Sequence, residues 1–141
     1  MKLSEIRNNN FGIMFHHFHD NGTKPKFQGS ITPKIFKNII LKIGVENIIS
    51  PNDFIDKVIS NKLKPGQTCL TFDDALLSQY SYALPVMEKY KLKSFWFIYT
   101  SIFEKKINNF EVYKYFYNNY YFSFREFFAE IKKKIKEIFP T

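Results

Sequence analysis

The sequence predicts an α/β fold in which short parallel strands alternate with helices. Apolar, β-prone runs occur at Phe11 to Phe18, Gln67 to Phe72 and Ser94 to Tyr99, with amphipathic helical patterns between them. The connections are short, so successive strands are expected to be parallel with right-handed crossovers. The chain has 141 residues and 45% hydrophobic content, which is the size of one domain with a core.

The first predicted strand runs from Phe11 to Phe18, and three histidines lie at its end. On a strand, His17 and His19 share one face and His16 lies on the opposite face. Neutral imidazole binds Zn²⁺ well, so these side chains are candidate metal ligands. The alternative is that they are polar groups at a strand end, hydrogen-bonded to loop backbone, and for His17 and His19 this alternative is favoured.

Two helices are predicted between the first strand and the central one. Residues 21–30 have the composition of a loop, after which Thr32 caps a helix that ends at Gly44. Val45 to Ile49 is predicted to be a short strand. A second helix begins after Ser50, whose side chain is a favoured N-cap.

The central strand ends in two neighbouring carboxylates, Asp73 and Asp74. Burying both acids unpaired would cost too much, so they are expected at the solvent-facing carboxyl end of the strand, where α/β folds place their chemistry. Side chains of consecutive residues diverge, so one carboxylate could bind a metal while the other moves a proton. The alternative is a strand-end turn in which one aspartate caps the next helix.

One more helix and one more strand are predicted before the pattern changes. Pro85 cannot lie deep inside a helix without removing a hydrogen bond, so that helix is expected to start near Tyr82 and end near Tyr90. Ser94 to Tyr99 is apolar almost throughout, as expected for a strand covered on both faces.

The residues after Thr100 are predicted to be helical. Asn109 to Phe122 forms an aromatic-rich helix, and Ser123 with Glu126 is the capping box of another. The second helix has apolar residues at helical spacing and a basic face, comprising Phe124, Phe127, Phe128, Ile131, Ile135 and Ile138, and Lys132, Lys133, Lys134 and Lys136. A solvated face over a packed stripe is favoured over a helix that binds a membrane or nucleic acid.

Several segments resemble one known family. Leu70 to Asp74, with the sequence Leu-Thr-Phe-Asp-Asp, resembles the first signature of the polysaccharide deacetylases, which include the chitooligosaccharide deacetylases of nodulation. Gly12 to His16 resembles the family's opening strand with its aromatic-His ending. Ala83 to Tyr90 resembles its next helix and Lys93 to Ile98 its following strand, so the resemblance covers about residues 11–103.

The resemblance implies a partial (β/α) barrel with a helical C-terminal segment. Residues 1–103 would be the N-terminal part of a deacetylase-like domain, and residues 104–141 a helical extension or insertion of the same domain. The implied activity is metal-dependent hydrolysis of N-acetyl groups on polysaccharide or surface-glycan precursors. The implied cofactor is a divalent ion, Zn²⁺ in most of the family.

Site residues follow from the resemblance position by position. Asp73 matches the family's general base and Asp74 its metal ligand. His16 matches the aromatic-His pair and is expected to approach the Asp73 end of the sheet. His16, His17 and His19 are thus candidate substrate-binding or site-lining residues.

Two features depart from the family. Ala75 stands where the family has Gly, which implies a positive φ at this position, and no H-x-x-x-H signature occurs. Two metal ligands therefore have no match, and a fragment that ends before the second signature is expected. The alternatives are a non-catalytic glycan-binding relative and a basic surface-binding protein acting through residues 123–138. A barrel cut before closure would also expose a strand edge, so self-association is expected.

Composition limits the partners and the compartment. The formal charge of +8 is spread along the chain, so a nucleic-acid partner is not expected. Cys69 is the only cysteine and excludes an internal disulfide. No apolar run has the length of a signal peptide core or of a membrane span, so a cytoplasmic protein is expected.

Overall fold

The computed structural model describes residues 11–20, 27 and 29–139, in two compact units. The first unit contains the described residues up to 100 apart from Phe27, and the second contains Phe27 and residues 101–139. The elements in chain order are β1 (Phe11–Phe15), α1 (Pro33–Ile43), α2 (Pro51–Ile59), β2 (Thr68–Phe72), a π-helical turn (Gln79–Ala83), α3 (Leu84–Lys89), β3 (Ser94–Trp96), α4 (Asn109–Tyr120) and α5 (Phe124–Ile138). The predicted loop over 21–30 lies mostly outside the described residues. That residues 104–141 extend or interrupt a deacetylase-like domain stays a prediction.

The strands of the first unit form one parallel sheet in the order β1-β2-β3. Phe15 lies opposite Phe72, and Phe72 lies opposite Trp96. The carboxyl ends of β1 and β2 are therefore level with each other. The predicted α/β class with parallel strands is confirmed, whereas the described residues show a three-stranded sheet and no barrel.

Four phenylalanines join the sheet to α1. Phe15, Phe18, Phe36 and Phe72 contact one another with ring centroids 4.9 to 6.1 Å apart. All four side chains are buried, and burial stabilises each by about 1.5–3 kcal/mol. This cluster holds the carboxyl ends of β1 and β2 against one helix face.

The predicted ends of α1 and the predicted start of α2 are confirmed. The Thr32 hydroxyl accepts a hydrogen bond from the Ile35 N–H at 3.2 Å, and Ser50 accepts one from Asp53 at the same distance. Gly44 ends α1 with a φ of 92°, a conformation that favours glycine. Local capping groups therefore set these boundaries.

The predicted strand Val45 to Ile49 is wrong. Val45–Asn47 forms a 3-10 turn, and only Ile48 pairs with Thr68 in an isolated parallel bridge. The Asn47 amide donates to the Ile43 carbonyl at 2.7 Å and keeps the chain turned after α1. The contact with the sheet is limited to this bridge and to the hydrogen bond that the Ile49 N–H donates to the Thr68 carbonyl at 2.9 Å.

β1 and β3 are both shorter than predicted. β1 ends at Phe15, and Phe18 instead forms an isolated bridge to Ile31. β3 ends at Trp96, and Phe97 and Ile98 beyond it are exposed. The prediction of a last strand covered on both faces is therefore wrong, because the three residues of β3 are only half-buried and the predicted continuation beyond Trp96 is exposed.

Helical structure before α3 begins earlier than predicted. The π-helical turn starts at Gln79, and its last bond runs from the Leu84 N–H to the Gln79 carbonyl, five residues back. Pro85 lies in the first α-helical turn that follows, where a missing N–H is tolerated. The predicted start near Tyr82 is wrong because the wide turn precedes the proline.

Both predicted helices of the second unit are present. The Asn108 side chain caps α4 by accepting from the N–H groups of Phe110 and Glu111. Ser123 accepts from the Glu126 N–H at 3.2 Å, and the Glu126 carboxylate accepts from the Phe122 N–H at 2.9 Å. The capping box is therefore confirmed, with its reciprocal bond shifted back by one residue.

Phe127 attaches α5 to α4. Its ring centroid lies 5.0 Å from that of Tyr113, 5.7 Å from Tyr117 and 4.8 Å from Tyr121. Phe127 is the one buried residue of α5. The favoured interpretation of a packed apolar stripe is therefore wrong for most of this helix. No described helix is both long and apolar enough to cross a bilayer.

Candidate active site

His16 directly follows β1 and Asp73 directly follows β2, so both residues lie at the carboxyl end of the sheet. Phe15 and Phe72 are paired, and the Asp73 N–H donates to the Phe15 carbonyl at 3.2 Å, which extends the ladder by one bond. The Nε2 atom of His16 then lies 4.0 Å from an oxygen of Asp73. The predicted approach of His16 to this edge is confirmed, and the chemical roles of the two residues stay predictions.

The two oxygens of Asp73 have different surroundings. Oδ2 faces His16, whereas Oδ1 is buried without a hydrogen-bond partner among the described residues. A buried carboxylate oxygen that receives no donor costs about 1–3 kcal/mol or more. A water molecule, another proton donor or a cation bound at Oδ1 would remove this cost.

A buried glutamine holds the backbone on both sides of the site. The Gln79 amide nitrogen donates to the His16 carbonyl at 2.9 Å and to the Asp73 carbonyl, and its oxygen accepts from the Leu76 N–H at 3.2 Å. Gln79 has no exposed surface. One side chain thus uses both of its N–H donors to fix the loops after β1 and β2.

Gln79 is not among the site residues expected from the sequence, although the sequence contains a signal for it. Gln79, Ala83 and Met87 are all buried and recur every four residues on one helical face. Gln79 is the polar member of that buried face. A polar side chain at such a position must satisfy its hydrogen bonds inside the protein.

Ser78, directly before the π-helical turn, and Tyr82 within it also contact the residues after β1. The Ser78 hydroxyl accepts from the Phe18 N–H at 3.3 Å, and Tyr82 is hydrogen-bonded to Asp20. Burial and the negative charge of Asp20 raise the pKa of Tyr82. π-helical turns are frequent at functional sites. This one packs against the loop that carries His16.

The turn after β2 has two residues in the left-handed region. Asp74 has a φ of 75° and Ala75 a φ of 49°. Aspartate tolerates this conformation, whereas for alanine it costs of order 1 kcal/mol. The positive φ expected at position 75 is confirmed, so the turn keeps a shape suited to glycine without having one.

His17 and His19 are buried and take part in the packing of their own loop. The Nδ1 atom of His19 is hydrogen-bonded to the Ser30 hydroxyl at 2.6 Å. The Ile31 N–H donates to the His17 carbonyl, and the His19 N–H donates to the Ile31 carbonyl, at 3.1 Å each. The ring of His17 lies beside that of His16, with centroids 6.4 Å apart. These contacts favour the interpretation of His19 as a polar group bonded within its loop.

The described residues do not complete a metal site. Among them, no group of three or more His, Cys, Asp and Glu side chains could hold a metal ion. Catalytic zinc normally takes three protein ligands. Asp74 with the neighbouring residues of this edge is therefore an insufficient donor set for catalytic zinc.

A cavity of about 360 Å³ lies elsewhere in the first unit. Its walls come from Ser50 to Asn52 at the start of α2, from Leu84 and Met87, and from the region of β3. Neither His16 nor the two aspartates line it. The candidate catalytic residues therefore lie at the carboxyl end of the sheet and not in this cavity.

No family model matches the chain, and no curated protein matches it. Among solved structures, it resembles the Streptococcus pyogenes deacetylase PplD in complex with acetate, with a TM-score of 0.52 and 23% sequence identity. The match covers 69% of this chain and 45% of that chain, so the chain spans less than half the length of the deacetylase. At this identity the match shows a shared fold alone.

Proposed function

We propose that this chain is part of a deacetylase-like hydrolase that removes N-acetyl groups from polysaccharide or surface-glycan precursors. The observation that carries the proposal is the pairing of His16 with Asp73, whose other oxygen is buried without a hydrogen-bond partner. The fold shared with a deacetylase supports it. In this proposal the three strands belong to a (β/α) barrel.

Asp73 would act as the general base. As a water oxygen bonds to the acetyl carbonyl carbon, one of its protons moves to Asp73. The C–N bond then breaks, the proton passes to the departing nitrogen, and acetate and an amino sugar result. His16, 4.0 Å from Asp73, would stabilise the carboxylate when its imidazole is protonated.

The proposal includes a divalent ion, Zn²⁺ by the family resemblance, with Asp74 as one ligand. Such an ion polarises a carbonyl and lowers the pKa of bound water. Because the described residues do not complete a zinc site, its other ligands would lie outside them. The steps assigned to Asp73 and His16 concern only the protein's own side chains.

Calorimetric titration of the chain with Zn²⁺ tests the assignment. Asp74→Ala should abolish whatever Zn²⁺ binding the chain shows, whereas Asp73→Asn should leave it largely intact because Asp73 is assigned to proton transfer. Asp56→Asn, a change of the same charge on α2, is the matched control and should bind like the wild type. Equal loss in both site variants, or no binding by the wild type, would contradict these roles.

The missing ligand group favours a second candidate, a non-catalytic glycan-binding relative. In such a protein Asp73 and Asp74 would accept hydrogen bonds from sugar hydroxyls. Binding of N-acetylated oligosaccharides that persists in chelator, without acetate release, would support this candidate. Chelator-sensitive acetate release would support the hydrolase.

A further inference from the structure

The apolar face of α5 is open to solvent along most of its length. Phe127 faces α4, but Phe124, Phe128, Ile135 and Ile138 are 52%, 45%, 52% and 67% exposed. Phe139, directly after the helix, is 70% exposed. Exposing such a stripe to water is unfavourable, and a contiguous apolar patch of this kind indicates an interaction surface.

The charges of α5 are segregated around this stripe. With about 3.6 residues per turn, Lys132, Arg125 and Lys136 follow one border of the stripe and Lys134 follows the other. The Lys132 ammonium lies 5.9 Å from the centroid of the Phe128 ring, which places a cation beside the apolar face.

The acidic side chains lie on the other side of the helix. Glu126 and Glu137 lie roughly opposite the stripe together with Lys133, and Glu130 lies between them and Lys134. Lys134 on the second border is ion-paired with Glu137, whose carboxylate oxygen lies 2.7 Å from its ammonium. The positive charge that is separated from the acids is therefore that of Arg125, Lys132 and Lys136 on the first border.

We propose that α5 binds an anionic lipid surface and lies in the plane of the interface. The exposed stripe would enter the boundary between headgroups and acyl chains, and the border cations would contact anionic headgroups. Nucleic acid would use the cations but leave the stripe exposed. A second copy of α5 packed stripe to stripe would bring border cations against border cations. A lipid surface satisfies both features at once.

Co-sedimentation of the full chain with lipid vesicles tests the proposal. Vesicles of phosphatidylcholine containing about one third phosphatidylserine should bind the chain, and vesicles of phosphatidylcholine alone should bind it much less. The double change Ile135→Asn and Ile138→Asn should lower the partition coefficient roughly tenfold or more, because two apolar side chains that would enter the lipid are replaced by polar ones. Ile59→Asn, at an exposed isoleucine of α2, is the matched control and should leave binding unchanged.

Two adjacent lysines test whether binding depends on the charges at the border of the stripe, because Lys132 lies at that border and Lys133 lies on the far face. Lys132→Gln should lower binding about fivefold, whereas Lys133→Gln, on the far face, should have less than a twofold effect. Equal effects of the two changes, or equal binding to neutral and anionic vesicles, would overturn the proposal. It would also be overturned if the two isoleucine changes abolished self-association without lipid, or if the chain bound duplex RNA but not vesicles.

Discussion

At the scale of single residues, the site depends on how Gln79 satisfies three backbone groups with one amide. The carbonyls of His16 and Asp73 and the N–H of Leu76 all bond to it. These groups belong to two different loops, so their relative position depends on one buried side chain. Gln79 is a positioning residue for His16 and Asp73.

Gln79→Ala should destabilise the first unit by about 2–4 kcal/mol, because it leaves buried polar groups unpaired. Gln67→Ala is the matched control. The Gln67 side chain also accepts from a backbone N–H, that of Lys64 at 3.0 Å, but this bond is exposed. The control should lose less than about 1 kcal/mol. Urea unfolding measures both, and similar losses would contradict the positioning role.

Ala75→Gly should stabilise the fold by roughly 0.5–1 kcal/mol, because glycine adopts a φ of 49° without strain. Ala129→Gly, within α5, should have the opposite sign and destabilise by about 1 kcal/mol. Thermal unfolding compares the two. A lower melting temperature for Ala75→Gly would show that the left-handed turn is not strained.

At the scale of elements, β2 organises the first unit and Phe127 organises the second. β2 pairs with both other strands and carries Phe72, which contacts three phenylalanines and stacks on Trp96 at 4.6 Å. In the second unit, Phe127 contacts three tyrosines: Tyr113 and Tyr117 of α4, and Tyr121 directly after it.

Phe127→Ala should detach α5 from α4, because Phe→Ala at a buried position costs about 3–5 kcal/mol. Phe128→Ala is the matched control, since Phe128 is the next residue and is exposed. Amide hydrogen exchange across residues 124–138 should accelerate strongly in the first variant and little in the second. Equal protection in the two variants would show that other contacts hold α5.

At the scale of the whole molecule, exposed apolar residues and an outer strand predict self-association. Met14 within β1 and Phe97 and Ile98 after β3 are exposed, and β3 carries no charged side chain. Natural proteins protect outer strands with charges, above all lysine. The same chain is expected to release no measurable acetate from N-acetylated oligosaccharides with added Zn²⁺, because its described residues lack a complete metal site.

Light scattering of the isolated chain should therefore show oligomers. Phe97→Lys, which puts a charge directly after β3, should reduce them, whereas Phe103→Lys, at an exposed position of the second unit, should not. A monodisperse monomer with chelator-sensitive acetate release would contradict both expectations. His16, His17 and His19 would then be the leading candidates for the missing metal ligands.

Sequence alone determined the features of this protein that depend on neighbouring residues. Thr32, Ser50 and Gly44 mark helix ends because capping acts within one turn. The central strand and its two aspartates, and the left-handed turn at Ala75, could likewise be predicted from adjacent residues and from the family resemblance.

Only the tertiary structure decided how far each strand extends and which side chains meet. Val45 to Ile49 and Phe97 to Tyr99 are β-prone, yet a strand exists only where another strand offers backbone partners along its length. Gln79 reaches His16 and Asp73 across 63 and 6 residues of chain. Such contacts depend on the parallel register of β1 and β2, because pairing between strands joins residues that are distant in sequence.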